Sequence, residues 1–551
     1  MKKILFLQLP LLDTDVTGRH ENVPLAAIYL QHALEQDSEG NYWSCRHITK
    51  QADTLNDQSL LRIITRIKPD AIAATLYLWN IERTLHLLAR VRAAFPHTHI
   101  IVGGPEVARD HPFLFKRNIP DVAVYGEGEP VFPHILRALR TGRCADFSNV
   151  AWRCGKKFSW GKKTPPPYSL KTNLPPPRYR GWKPDPHGMA YLETTRGCPL
   201  RCAFCCYGHR RSRITALPAK EVLERIRVLR ARGAREIRFI DPTFNAHPEF
   251  DIIISGIAAL NRDRRLEFFC ELRAETLTAK QALLLARANF REIEVGMQSR
   301  NPETLRLIRR PTRLDKLDRG IELLTRAGVR VTVDLMYGLP GQALDDIRTM
   351  IRWAARQRGV RMQCLQTLLL PGTELRARGK ELTLTAADKP PYPVQSTASL
   401  SASDIRHAEQ MARETLGVQM DCPMPYFVGR QFPGLFSERN SANRRAMIFR
   451  GKDLYGLREA IAYRIKDVLR NEPHILWQFV IEPDYEEPLD LLEYFIATIQ
   501  EHEPLVLDRF LDMHSPGKKA ARRLMIQLRP GKRYGRDWQA AAEELLRTAF
   551  F

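Results

Sequence analysis

The sequence predicts an α/β protein: an N-terminal Rossmann-like domain, an open (β/α)6 partial barrel, and a mainly helical C-terminal domain. Three observations carry this reading. Short β-rich runs alternate with helical patterns over residues 1–141. The alternation resumes with a longer rhythm between 189 and about 378, in six strand–helix units. Two Pro-rich stretches, 155–187 and 389–403, interrupt the pattern and mark the joins. The resulting boundaries are 1–145, a linker at 146–187, 188–380 and 381–551.

In the first region KILFLQL (3–9), DAIAATL (70–76), HIIVGG (99–104) and DVAVYG (121–126) are strand candidates. Residues 81–94 place Ile81, Leu85, Leu88 and Val91 at helical spacing. Residues 155–187 read as a stiff, extended connector because they are dense in Pro and Lys. The barrel strands are AYLETT (190–195), EIRFID (236–241), LEFFCEL (266–272), EIEVGM (292–297), VRVTVDLM (329–336) and RMQCLQTLLL (361–370). Helices at 219–232 and 314–327 separate some of them. Six units fall short of the eight of a closed barrel, whose active site lies at the C-terminal strand ends. The third region has helical patterns at 453–469 and 537–550, no internal repeat and no catalytic motif, and reads as an accessory or substrate-covering domain.

At 551 residues, with 44% hydrophobic and 27% charged residues, the chain has ample material for several soluble domains. No run of about eighteen apolar residues suggests a membrane span. MKKILFLQLPLLDTD reads as a first buried strand rather than a signal peptide, since acids follow a very short apolar stretch. Ten cysteines in one tight cluster and scattered singles (Cys45, Cys144, Cys154, Cys270, Cys364, Cys422) are no disulfide framework and point to a reducing cytoplasm. The net charge of +23 raises nucleic acid as a substrate. The basic residues are, however, spread over RRSR (210–213), RARGAR (230–235) and KKAARR (518–523), and no RNA-binding motif accompanies them.

The strongest chemical signal is TTRGCPLRCAFCCYG, in which Cys198, Cys202 and Cys205 have the spacing CxxxCxxC directly after the first barrel strand. An iron–sulfur cube takes one thiolate per iron, so three cysteines leave one iron open to another ligand. A zinc site completed by Cys206 or His209 is the rival reading, although a structural knuckle needs neither a preceding apolar strand nor a barrel rhythm after it.

With Phe204 before the last cysteine, this loop on a six-unit α/β run resembles the radical S-adenosylmethionine (SAM) superfamily. The resemblance implies that Cys198, Cys202 and Cys205 hold a 4Fe–4S cluster whose fourth iron is chelated by SAM, with Phe204 beside the cofactor. DPTFN (241–245), ELRAETL (271–277), VGMQS (295–299) and DLMYGLPGQ (334–342) resemble the superfamily's later strand ends. By that analogy Asp241, Glu271, Arg273, Gln298 and Asp334 are candidate SAM contacts; an Arg suits a carboxylate and a Gln amide suits ribose hydroxyls. The N-terminal region resembles the cobalamin-binding domain that precedes the barrel in one branch of these enzymes. IIVGGPEV (100–107) supplies Gly103, Gly104, Pro105 and Glu106, and VYGEGEPVF (124–132) supplies Gly126, Glu127, Gly128 and Glu129. TLYLWNIE (75–82) resembles the segment beneath the corrin ring and nominates Tyr77, Trp79 and Asn80. The resemblance covers residues 1 to about 378.

One departure is informative. No DxHxxG motif supplies an axial histidine, and His20 in GRHENVP does not match. Cobalt would then lack a histidine lower ligand, which favours low-coordinate cobalt and methyl transfer as a radical. The resemblance implies reductive cleavage of SAM to a 5′-deoxyadenosyl radical, hydrogen abstraction from an unactivated carbon, and methyl transfer from cobalamin. The implied partners are a flavodoxin- or ferredoxin-type electron donor and a small-molecule or peptide substrate, with nucleic acid and membrane disfavoured. Ring formation or rearrangement without methylation is the alternative outcome. A methylthiotransferase is disfavoured, because only Cys45 and Cys144 precede residue 150. A noncatalytic cobalamin sensor would not need an open cluster.

Overall fold

The computed structural model describes residues 1–10, 22–48, 55–207, 214–417, 426–430, 444–506, 508–509 and 522–550. His20, His209, Cys422, the RRSR run and much of 423–434 lie outside them. The chain divides into two compact units. One comprises Met1, Val23–Ser44 and Ile101–Val418; the other comprises Lys2–Asn22, Cys45–Ile100 and Gln419–Phe551. Among the described residues no helix is long and apolar enough to cross a membrane.

The first unit is built on the expected open barrel. Six parallel strands, Met189–Leu192, Glu236–Phe239, Glu267–Leu272, Phe290–Gln298, Arg330–Tyr337 and Val360–Gln366, lie side by side in chain order. Each pairs with its predecessor in sequence, as βαβ units require. Alternation along the strands separates two faces. Phe268, Cys270 and Leu272, then Ile293, Val295 and Met297, then Val331, Val333 and Leu335 are buried in one apolar core with helices such as Ala219–Ala231 and Phe250–Leu260. A stack of Phe239, Phe244, Phe268 and Phe290, with centroids 4.2–6.1 Å apart, sits at its centre. The intervening residues of the same strands, Glu271, Glu294 and Asp334 among them, line the opposite, concave face.

Ahead of the barrel in this unit, Ile101 and Val102 of the strand His99–Gly103 pair in parallel with Val122–Val124. The segment expected as an extended linker is partly structured. Val150–Cys154 and Lys157–Trp160 form an antiparallel hairpin turned at Gly155, where φ is +62°. Its apolar residues Tyr168, Leu170, Leu174 and Trp182 are buried in the barrel core. Prolines stiffen the backbone here, but the aromatic and leucine side chains between them decide where it packs.

In the second unit Lys2–Leu7 pairs in parallel with Ala71–Thr75, alongside the helices Asp57–Ile67 and Ile81–Ala94. The C-terminal helices Arg458–Asn471, Leu489–Gln500 and Arg536–Phe550 are present. They flank a feature absent from the sequence reading, a four-stranded parallel sheet. Its order is Tyr426–Gly429, Arg522–Gln527, Leu476–Pro483, Arg444–Gly451. Trp477, Phe479 and Ile481 of its strands pack against Ile465, Phe495 and Leu546 of the helices.

Candidate two-cofactor site

The cysteine loop leaves the first barrel strand at its C-terminal end, where barrel chemistry is carried out. Asp241, just past the second strand, fixes that exit. Its carboxylate accepts the Thr194 backbone N–H at 3.0 Å and hydroxyl at 2.9 Å, the Thr195 hydroxyl at 2.6 Å and the Thr195 backbone N–H. Asp241 is buried, and burial pushes its carboxyl up to about 6 against those hydrogen bonds. These four donors make Asp241 a staple of the loop, a different role from the SAM contact suggested by resemblance.

Within the loop Cys198, Leu200 and Cys202 form a buried group against which Cys205 and Phe204 pack. Phe204 also packs against Leu305, Ile308 and Leu339, so its ring anchors the loop to an apolar floor. Backbone bonds from Ala203 N to Ile308 O (2.8 Å) and from Leu375 N to Ala203 O (2.7 Å) hold the turn between the second and third cysteines. Cys198 Sγ lies 3.7 Å from Thr243 Oγ1, and the Arg310 guanidinium donates to Cys202 Sγ at 3.5 Å. Burial, together with the nearby Cys202, Cys206 and Cys198, pushes the Cys205 thiol up to about 12. Cys206 instead donates its S–H to Pro371 O at 3.6 Å. Among the described residues no cysteine is in a disulfide, and no three His, Cys, Asp or Glu side chains form a single-ion site. A cubane binds each thiolate on a separate iron and does not ask the sulfurs to converge on one point. Three adjacent soft donors with a guanidinium beside one of them fit that group.

The concave barrel face carries the next constellation. Glu271 lies opposite Glu294, and Asp334 lies opposite Gly296, two residues further along the same face. Burial and then Glu294 push the Asp334 carboxyl well above the usual carboxylate range. Burial and Glu294 likewise push Glu271 up to about 7, with Arg310 and Arg238 opposing. A register shift between Gly296 and Gln298 and a φ of +64° at Gln298 turn its amide back over Gly296. A Cβ at Gly296 would lie 2.6 Å from that amide and 2.9 Å from Arg310, so a larger residue there would displace both side-chain ends. Gln298 Oε1 and Asp334 Oδ1 are buried acceptors without a hydrogen-bond partner. Such atoms call for a polar ligand or water. Arg273 differs: it bonds Glu275 at 2.8 Å and Pro311 O at 2.9 Å, which turns its guanidinium to its own loop.

The glycine motifs follow the strands His99–Gly103 and Val122–Val124 as expected. Gly104 has φ +106° and Gly126 has φ +72°, conformations that side chains resist. A Cβ at Gly126 would meet no atom within 4 Å, so the loop faces open space that a bulky cofactor can occupy. Pro105 and Glu127 lie in the same two loops, while Gly103 has only Val124 O within 4 Å of a Cβ, at 3.9 Å. Two acids of these motifs are engaged by protein. Glu106 accepts the Tyr392 hydroxyl at 2.8 Å and sits 3.2 Å from His111 Nε2, all three buried. Glu129 accepts from Arg196 at 3.0 Å. In the second unit Tyr77 and Trp79 stack on one another at 4.6 Å, with Trp79 exposed. Asn80 is fully buried; it accepts from Tyr77 N at 2.8 Å and donates to Leu9 O at 2.8 Å. Its amide therefore shapes the turn, leaving the two rings as the surface of that segment.

Comparison with known proteins matches this layout part by part. Residues 192–354 match the radical SAM superfamily and residues 16–136 match the B12 binding domain. The chain carries a radical SAM domain behind a B12-binding domain. It is 22% identical over 60% of its length to an uncharacterized methyltransferase, PH0819, of Pyrococcus horikoshii, covering 73% of that protein. It is 33% identical over 26% of its length to the cobalamin-dependent radical SAM methyltransferase TokK of Streptomyces tokunonensis, of which it spans 22%. Its fold is similar to that of the radical SAM methyltransferase TsrM of Kitasatospora setae, with a TM-score of 0.61 at 16% identity over 75% of this chain and 89% of TsrM.

A radical SAM domain implies a 4Fe–4S cluster and SAM, and a B12-binding domain implies cobalamin. In this radical SAM enzyme the sequence reading missed Glu294 and Arg310. The alternation in EIEVGM marks Glu294 as sharing one strand face with Gly296, a usable signal. Arg310 stands in RRPTR among other arginines, and nothing local singles it out.

The crowded carboxyls have a measurable consequence. Asp334 holds its proton more tightly folded than unfolded, so stability falls as pH rises above the ordinary carboxylate value of about 4. Asp334→Asn removes that dependence. Its gain in Tm over wild type is expected to grow from pH 5 to pH 8 in thermal melts; a gain that shrinks with pH would contradict this placement.

Proposed function

We propose that this chain is a cytoplasmic, cobalamin-dependent radical SAM enzyme that functionalises an unactivated carbon by methyl transfer. Within this reading residues 1–145 bind cobalamin, 188–380 form the radical SAM core and 381–551 are an accessory or substrate domain. The observation that carries it is the three-thiol loop at a barrel strand end, with the glycine loops of the B12-binding domain in the same chain. The relatives point the same way, since TokK and TsrM are both methyltransferases by name. When bound, the cluster and SAM supply a 5′-deoxyadenosyl radical, and cobalamin supplies the methyl group.

The chain's own residues hold and orient these groups. Cys198, Cys202 and Cys205 present the thiolates, and the Arg310 guanidinium offsets charge at Cys202. Gln298 and the concave-face carboxyls Glu271 and Asp334 offer acceptors to SAM hydroxyls and amine. Tyr77 and Trp79 provide a flat aromatic surface. A flavodoxin- or ferredoxin-type protein as electron donor and a small-molecule or peptide substrate complete the proposal.

Anaerobic reconstitution with iron, sulfide, cobalamin and reductant tests it without knowledge of the substrate. The enzyme is expected to form both 5′-deoxyadenosine and S-adenosylhomocysteine from SAM. The second product reports methylation of cobalamin, which a rearrangement or cyclisation enzyme does not need. 5′-Deoxyadenosine alone would overturn the methyl-transfer reading.

A further inference from the structure

One side chain ties the cysteine loop to a glycine loop of the B12-binding region. Arg196 stands two residues before Cys198, on the short strand Thr195–Arg196 that pairs with Thr215–Ala216. Gly197, with φ +106°, turns the chain between them. The guanidinium grips Glu193 with both arms, Nε to Oε1 at 2.7 Å and Nη2 to Oε2 at 2.8 Å. That fork fixes its plane. The remaining nitrogen, Nη1, donates at 3.0 Å to Glu129, the last acid of GEGE. The Tyr168 ring closes one face, with the guanidinium carbon 3.9 Å from its centroid.

The arrangement is not one that stability alone favours. Two carboxylates, each less than a tenth exposed, meet a single guanidinium, and desolvating three charges offsets most of their attraction. An apolar contact of the same volume would hold the loops at least as well. What a fork between charged partners adds is a fixed geometry. Glu193 belongs to the barrel and Glu129 to the loop after the strand Val122–Val124, so Arg196 sets the separation of those two loops.

We propose that Arg196 is a positioning residue that, through Glu129, fixes the distance between the cobalamin-bearing loop and the cluster. This rests on the two-cofactor reading above. Glu129 then serves the link between loops and is not itself a cobalamin contact. Methyl transfer would join a substrate carbon radical, formed when 5′-deoxyadenosyl takes its hydrogen atom, to the methyl group of methylcobalamin, with homolysis of the Co–C bond leaving Co(II), so it would depend on that distance. Reductive cleavage of SAM takes place at the cluster alone and does not.

The test uses the full chain with both cofactors reconstituted, comparing wild type with Glu129→Gln and Arg196→Lys. Glutamine keeps the shape of Glu129 and removes its charge; lysine keeps the charge of Arg196 and removes the fork. Pulsed electron paramagnetic resonance measures the separation of Co(II) and the reduced cluster. Both variants are expected to retain cluster content and 5′-deoxyadenosine formation, with a broadened or shifted separation. Methyl transfer to product, or to a trapping analogue bound in the barrel, is expected to fall by about tenfold or more, since displacements near 1 Å cost up to ~100-fold. An unchanged separation in both variants would overturn the proposal. So would failure of Glu129→Gln to take up the cluster, which would make the pair a support of the fold. The distance readout needs only bound cofactors, so it stands whether or not the wild type methylates.

Discussion

Replacing Cys198, Cys202 or Cys205 singly with Ala is expected to reduce 5′-deoxyadenosine formation to the level of enzyme-free controls. Each thiolate of a cubane holds a different iron, so no remaining thiolate can take over a lost position. The structure offers Cys206 as the obvious substitute and argues against it. Its thiol donates to Pro371 O at 3.6 Å, and it is not part of the buried group that Cys198 and Cys202 form with Leu200. Cys206→Ala is therefore expected to bind iron and cleave SAM as the wild type does. Iron and sulfide counts with anaerobic product analysis check all four variants. Cleavage retained by any of the first three, or lost in the fourth, would refute the assignment.

Asp241→Ala is expected to destabilise the protein by about 3–5 kcal/mol, the range for orphaning several buried donors at about 1–3 kcal/mol each. The donors concerned are the backbone and hydroxyl groups of Thr194 and Thr195, both buried. They sit between the first barrel strand and the cysteine loop, so the lesion falls where the cluster is held. Asp241→Asn is a sharp control. Its amide oxygen can still accept, and the threonine hydroxyls can rotate to suit its NH2. Burial already pushes Asp241 up to about 6, so a neutral group suits this site. The Asn variant is expected to lose much less stability in denaturant melts and to keep its cluster. Equal losses for Ala and Asn would mean that charge, rather than hydrogen bonding, holds the loop.

The sequence revealed most where one physical constraint decides the outcome. The six barrel strands and the 81–94 helix show in periodicity alone, because one face of each must be apolar. The cysteine triplet shows in spacing. The C-terminal sheet did not: WQFVIE, buried on both faces, has no alternation to mark it as a strand. The connector misled through its prolines, which gave no sign that Tyr168 and Trp182 would be buried.

Among the candidate site residues, motif position could not identify the partner. Asp241, Glu106 and Asn80 carry the expected polar groups, yet each turns them to protein. Glu129 does the same toward Arg196, 67 positions later in the chain, a pairing that no local pattern encodes. Glu294 and Arg310 acquire meaning only beside Asp334 and Cys202, residues brought to them by the fold.

The central claim, that cluster and cobalamin serve one methyl transfer, is tested most directly by following a deuterated methyl group from SAM. The reconstituted enzyme is incubated anaerobically with CD3-labelled SAM and reductant, and its corrin is extracted for mass spectrometry. The account predicts cobalamin carrying the intact CD3 group, with 5′-deoxyadenosine formed in the same reaction. Unlabelled cobalamin beside continued SAM cleavage would contradict it.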